Sequence, residues 1–148
     1  MFVVSKKTEY ALKAVLDLSR HFAEEAVPLT DIATRQDIPL KYLEQIMLLI
    51  KKAGLVESRR GIGGGFRLIK SPQEITLGRL MRVVEGDAQW LNGRRGRNEL
   101  QTDAQAFEEV WVNVTQAVSD IVDRVTFADI MRRADELWSE NSDFNFII

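Results

Sequence analysis

The side chains best equipped for chemistry in this chain read hydrogen-bond patterns rather than break bonds. Between Pro39 and Gly54 stand Leu40, Lys41, Tyr42, Glu44 and Gln45, offering a cation, a phenol, an acid and an amide at the start of a helical pattern. A glutamine pairs bidentately with adenine, a glutamate accepts from cytosine N4, and a lysine reaches guanine or a phosphate. Glu44 is the informative residue, because an acid turned towards DNA lowers affinity unless a cytosine amino group receives it. The competing reading is a solvated pair with Lys41 or a lysine one turn on, worth about a few tenths of a kcal/mol.

A second group follows closely. Arg59, Arg60, Gly61, Ile62, Gly63, Gly64 and Gly65 form a basic, glycine-dense loop, and Arg67 comes soon after it. Glycines let backbone approach a phosphate closely, and an arginine can enter a narrow minor groove. The alternative is a basic hairpin that only meets water. Lys6, Lys7 and Thr8, at the start of the first helical pattern, are further phosphate candidates. A nucleotide-binding loop is excluded at this site: Phe66 breaks GxGxxG, no Lys-Ser/Thr completes a P-loop, and strand-type residues follow.

Other chemistries are excluded by what the chain lacks. It has no cysteine and one histidine, His21, so disulfides, thiol catalysis and thiolate-held zinc or iron–sulfur sites have no ligands, and no cofactor is expected. His21 falls near the end of the first helix, where a cation favours the dipole. An enzyme reading finds no nucleophile with a base, and Asp120 with Asp123 reads as a solvated helix face. No apolar run approaches the roughly 20 residues that span a bilayer. The amino terminus does not resemble a secretory signal, so a cytoplasmic location and no membrane partner are expected. Residues 1–70 carry 12 Lys/Arg against 8 Asp/Glu, and residues 71–148 carry 8 against 14. A basic first half on an acidic remainder suits DNA contact confined to one end.

The elements that must position these groups follow from periodicity. Apolar residues at Tyr10, Ala11, Ala14, Val15, Leu18 and Phe22 predict a helix from Ser5 to about Phe22. Thr30 reads as the N-cap of a short helix, Asp31 to Gln36. Pro39 suits a first helical position, and the helix through Leu43, Ile46, Met47 and Ile50 ends at Gly54. Two short helices and a tight turn predict a helix–turn–helix. Leu55–Ser58 and Phe66–Ile69 read as the strands of a wing. Thr76 caps a further segment that ends at Gly86. The fold class is therefore mainly α with a small β-hairpin wing, a winged helix–turn–helix joined to a long dimerisation helix.

Residues 1–86 form the winged unit, 87–102 a loop, 103–138 the dimerisation helices and 139–148 a tail. In the long helix, Phe107, Trp111, Val114, Val118, Ile121 and Val125 alternate steps of four and three, the 3.5-residue period of a seam against another helix. The winged unit is too small to cover it, so a second copy of the chain is the simplest partner. Thr126-x-x-Asp129 resembles a capping box for the last helix.

The strings TEYALKAVLDLS, LTDIATRQDIPLKYLEQI, KKAGLVESRRGIGGGFRL and EITLGRLMRVVEG closely resemble the Rrf2 family of bacterial winged-helix regulators over about residues 3–86. The resemblance implies a sequence-specific regulator of transcription, a repressor, acting as a homodimer on a roughly palindromic double-stranded operator. It places Lys41, Glu44, Gln45 and Arg60 at the family's DNA-reading positions. Cluster-binding members carry three cysteines before the dimerisation helix, whereas DAQWLNGRRGRNELQT has none. The better likeness is to the cysteine-metabolism branch, which implies control of cysteine, sulfur or iron metabolism. In that branch cysteine synthase is the signalling partner, and it binds tails ending in isoleucine. Phe146, Ile147 and Ile148 are the matching tail here. The rival to DNA binding is a winged helix used only for protein contact, which needs neither the basic wing nor the polar helix start.

Overall fold

The computed structural model describes residues 4–86 and 102–147, with side chains through residue 144. The described residues form α1 (Lys6–Arg20), α2 (Leu29–Gln36), α3 (Leu40–Lys52), β1 (Val56–Arg59), β2 (Gly65–Leu68), α4 (Leu77–Glu85), α5 (Thr102–Val122) and α6 (Phe127–Ile147). This is the mainly helical chain with a small hairpin that the sequence predicts. Of the expected loop, 87–102, residues 87–101 fall outside the described residues and Thr102 opens α5.

α1 begins at Ser5, whose hydroxyl accepts from the Thr8 amide at 3.2 Å, satisfying one of the helix's orphan donors. Its buried side carries Ala11, Ala14, Val15 and Leu18, the spacing of one helical face. α1 packs against α2, α3, α4 and α6, so it is the post around which the winged unit assembles. At its end His21 is the C-cap residue, and its Nδ1–H donates to the Asp17 carbonyl at 2.8 Å.

α2 opens two residues earlier than its sequence suggests. Pro28, not Thr30, is the N-cap, and no side chain caps the helix. Thr30 lies in the first turn, where its carbonyl accepts from the Thr34 hydroxyl at 2.9 Å. Asp37 ends α2 with φ 52°, a left-handed conformation that aspartate tolerates better than bulkier residues. Pro39 then sits just outside α3, as its N-cap residue. α3 buries Leu43, Ile46, Met47 and Ile50 completely, each contributing about 1.5–3 kcal/mol relative to exposure.

β1 and β2 pair antiparallel with Val56 opposite Leu68 and Arg59 opposite Gly65. The hairpin is not free-standing. Val27, in the α1–α2 connection, forms an isolated bridge with Phe66, each amide donating to the other's carbonyl at 2.8 Å. Gly65 makes this approach possible: a Cβ there would lie 2.1 Å from the Val27 carbonyl oxygen.

The approach to α4 and the α5–α6 turn are stitched together. The Leu77 amide donates to the Val125 carbonyl at 2.8 Å, and the Phe127 amide to the Ile75 carbonyl at 3.0 Å. Arg82 of α4 holds Asp123 at the end of α5 through two bonds of 2.6 and 2.8 Å, and donates to Ser119 at 2.8 Å. The reciprocal capping box of α6 forms, Thr126 amide to Asp129 at 3.0 Å and Asp129 amide to the Thr126 hydroxyl at 3.1 Å.

Two expectations are corrected here. α5 stops at Val122, so Val125 belongs to the turn bound to α4 and not to the long helical stripe. α6 continues to Ile147 where a tail from residue 139 was expected; helical hydrogen bonding propagates without a breaker, since residues 139–147 contain neither Gly nor Pro. No helix among the described residues is long and apolar enough to cross a membrane.

Candidate nucleic-acid interface

The side of α3 opposite its buried residues carries the groups with base-reading chemistry. Lys41, Glu44 and Gln45 are exposed, and Tyr42 is 50% exposed. The alternation has a simple cause: Leu43, Ile46 and Met47 turn into the core, so the residues between them must face out. Among the described residues no ion pair joins Glu44 to Lys41, and the residue one turn on is Leu48. The acid is therefore presented without a cation of its own element to neutralise it. Tyr42 is steadied from α1, where the Tyr10 ring meets it edge-on at 5.9 Å between centroids.

The wing is built from its stem outward. Arg67 pairs with Glu57 across the two strands, and Lys51 at the end of α3 donates to Ser58 at 2.6 Å. These contacts fix the stem, and the Arg67 charge is met there by Glu57. Arg59 and Arg60 are exposed and enter no ion pair among the described residues. Beyond them the Gly64 amide donates to the Gly61 carbonyl at 2.9 Å, closing a turn with Ile62 and Gly63 at its centre. Gly63 has φ 77°, which a type II turn requires at that position and which favours glycine.

Not every glycine of the loop is open to a ligand. A Cβ on Gly64 would fall 2.6 Å from the Arg59 carbonyl oxygen, so this glycine serves the turn itself. Gly63 faces the Glu25 carboxylate, 3.8 Å from where its Cβ would be. That places a negative charge from the α1–α2 connection beside the wing tip. At Gly61, with φ 91°, an added Cβ would meet nothing within 4 Å.

At the start of α1 the sequence reading is half right in placement. Lys6 is 70% exposed, though it pairs with Glu9 at 3.3 Å and lies 5.6 Å from the Tyr10 ring centroid. Thr8 is only 1% exposed, and its hydroxyl donates to Glu85 at 2.5 Å. A phosphate contact through Thr8 is thereby overturned: the side chain faces the α4 terminus, not solvent. Ser5 also bonds Glu85. These hydroxyls hold the Glu85 carboxyl below the usual carboxylate range. Sequence reasoning missed Glu85, because nothing local marks a residue that bonds a hydroxyl in a helix 77 positions away.

The long helix is largely uncovered. Phe107 is 77% exposed, Trp111 52%, Val114 45% and Ile121 60%, while Val118 is partly covered. Of α5 only Val122 is buried. On α6 the backbone of Phe146 and Ile147 is helical, and Ile148 lies outside the described residues. The expected docking of this tail on cysteine synthase involves side chains that lie outside the described residues.

An open groove of about 690 Å³ lies between the end of α1 and α6, lined by Phe22, Ala23, Met131, Arg132 and others. Its cations are engaged, Arg20 with Asp135 at 3.2 Å and Arg132 with Asp129 at 3.1 Å.

Comparison with known proteins agrees with this architecture. The family profile described as "Rrf2: Iron-dependent Transcriptional regulator" matches residues 4–133. The HTH-type transcriptional regulator IscR of Aliivibrio salmonicida is 37% identical over 131 residues, covering 86% of this chain and 76% of the relative. IscR of Serratia proteamaculans is 35% identical over 136 residues, 90% of this chain and 82% of the relative. Among solved structures, CymR, the global cysteine regulator of B. subtilis, superposes with a TM-score of 0.77 at 31% identity, covering 90% of this chain and 98% of CymR. T. potens IscR gives 0.76 at 34% identity, covering 91% and 90%.

The word "iron-dependent" in that description can be tested on the residues present. The chain has no cysteine, its one histidine donates to a backbone carbonyl, and no three metal-ligating side chains converge among the described residues. The donor set does not fit a thiolate-held iron–sulfur cluster.

Proposed function

This chain belongs to the Rrf2 family of DNA-binding transcription regulators, and from that premise we propose that it acts as a cluster-free homodimeric repressor. The observation that carries the reading is the exposed, mutually unpaired set Lys41, Glu44 and Gln45 on α3, beside a wing that presents Arg59 and Arg60. Lys41, Glu44 and Gln45 read base edges in the major groove, with Tyr42 on the adjoining backbone. Arg60 enters the neighbouring minor groove, while Arg59 and Lys6 neutralise phosphates. The chain works by binding, in the cytoplasm where its DNA lies, and not by catalysis.

The bare stripe on α5 supports the homodimer. Exposed apolar residues on one helix face favour a partner that covers them, and an identical helix presents the same stripe back. Two-fold symmetry then sets two recognition helices against two half-sites about 34–36 Å apart. The regulated genes, in this reading, belong to cysteine, sulfur or iron metabolism, a reading supported by the likeness to CymR, a global cysteine regulator.

Selection from a random pool of duplex DNA tests the proposal, together with sedimentation of the chain alone and with the winning duplex. An inverted repeat bound by two chains is the expected result. A monomeric chain that enriches no sequence would overturn it.

A further inference from the structure

The wing tip carries a side chain that its turn does not need. Ile62 is 110% exposed, more than any other large apolar side chain described, and it occupies the second position of the Gly61–Gly64 turn. That position tolerates most residues, so a polar one would form the same turn without presenting a branched hydrocarbon to water. The tip is also aimed. The Val27–Phe66 bridge and the close approach of Gly65 to Val27 fix the hairpin stem, so Ile62 projects from a braced structure.

What meets it follows from its neighbours. Arg59 and Arg60 precede it on the same loop, which draws the tip to polyanion. Glu25 stands beside Gly63, so the tip is a poor seat for a phosphate itself. A hydrocarbon at the point of a cationic hairpin suits the minor groove, where apolar wedges press between base steps and bend the duplex. We propose that Ile62 is a shape-reading wedge of the wing, pressed into the minor groove at a deformable pyrimidine–purine step flanking each half-site. It adds selectivity for DNA deformability to the hydrogen-bond readout by α3. This rests on the DNA-binding reading above.

The test uses the full chain and the duplex that it selects from a random pool. Ile62→Asn and Ile62→Val are compared with the parent by fluorescence anisotropy, with 2-aminopurine placed at the flanking step to report unstacking. Because Ile62 touches nothing it would unfold by leaving, all three proteins should melt together. Ile62→Asn should lose about tenfold or more in affinity, the worth of burying such a side chain. Its salt dependence should stay unchanged and the 2-aminopurine signal should vanish, while Ile62→Val keeps most of both. Ile62→Asn binding as the parent does, with the same 2-aminopurine signal, overturns the wedge and leaves DNA binding standing. No salt-dependent DNA binding by the parent overturns both.

Discussion

Asp17 and Arg35 meet in a bidentate pair across the first two helices, Nη2 to Oδ1 at 2.8 Å and Nε to Oδ2 at 3.0 Å. Gln36 adds a third bond to the same carboxylate at 3.0 Å. Asp17 is 2% exposed and Arg35 42%, so the aspartate lies inside and the arginine covers it. The cluster locks α2 onto α1, and α2 in turn supports α3. Burial pushes the Asp17 carboxyl up, but the bonds from Arg35 and Gln36 outweigh it and hold the group below its usual 3.8.

Replacing Arg35 with alanine should therefore destabilise the fold. The change leaves a buried carboxylate with Gln36 and His21 beside it, at a cost of about 2–3 kcal/mol, below the cost for a fully buried pair because Arg35 is partly solvated. Urea unfolding measures this, and a loss within the error of the parent's stability would refute it.

The same group gives a pH signature. A carboxyl whose folded pKa is depressed contributes its stability above the unfolded value and loses it as pH falls through the folded one. The stability advantage of the parent over Asp17→Asn should be constant near neutrality and shrink below pH 3.8. An advantage that grows on acidification would reverse the assigned sign.

Gly65→Ala should detach the wing while leaving the helical core folded. Its Cβ would lie 2.1 Å from the Val27 carbonyl oxygen, and backbone must move to relieve that contact. Amide exchange should speed up at Val27 and Phe66, and DNA affinity should fall at least about tenfold as the wing's proposed minor-groove contacts are lost. Unchanged exchange at both amides would show that the bridge is dispensable.

Glu25→Gln should tighten DNA binding. The carboxylate stands beside the wing tip, and removing one exposed negative charge from the proposed DNA-facing surface is worth about 0.5 kcal/mol, roughly twofold in affinity. The gain should disappear in high salt. A weaker complex would mean that Glu25 supports the wing instead of opposing the DNA.

Trp111→Asp tests the seam on α5. In the proposed homodimer a charge at the centre of this stripe should give monomer in sedimentation velocity and reduce operator affinity at least about tenfold, since each half-site alone is weak. A variant that stays dimeric places the contact elsewhere.

Much of this was legible in the sequence because it is local. The α3 periodicity, the glycine loop and the Thr126–Asp129 box each declare themselves within a few residues, and each stands where expected. What was not legible depends on pairs far apart. The Thr8 hydroxyl reads as a phosphate ligand until Glu85 is seen to take it. Thr30 reads as a cap until Pro28 starts the helix before it. Val125 fits the heptad spacing, yet the Leu77 amide claims its carbonyl and α5 ends first. The bracing of the wing by Val27 has no signal in the sequence of the wing at all.

The most direct measurement is the affinity of the chain for its selected duplex from about 50 to 200 mM salt, beside a scrambled duplex and the Arg60→Ala variant. With several phosphates neutralised on each half-site, affinity should fall by about 10³-fold or more across that range. The selected duplex should be preferred throughout, and Arg60→Ala should lose most where the flanks are A/T-rich. A response flat in salt, or equal binding to the selected and scrambled duplexes, would contradict sequence-specific recognition by α3 and the wing.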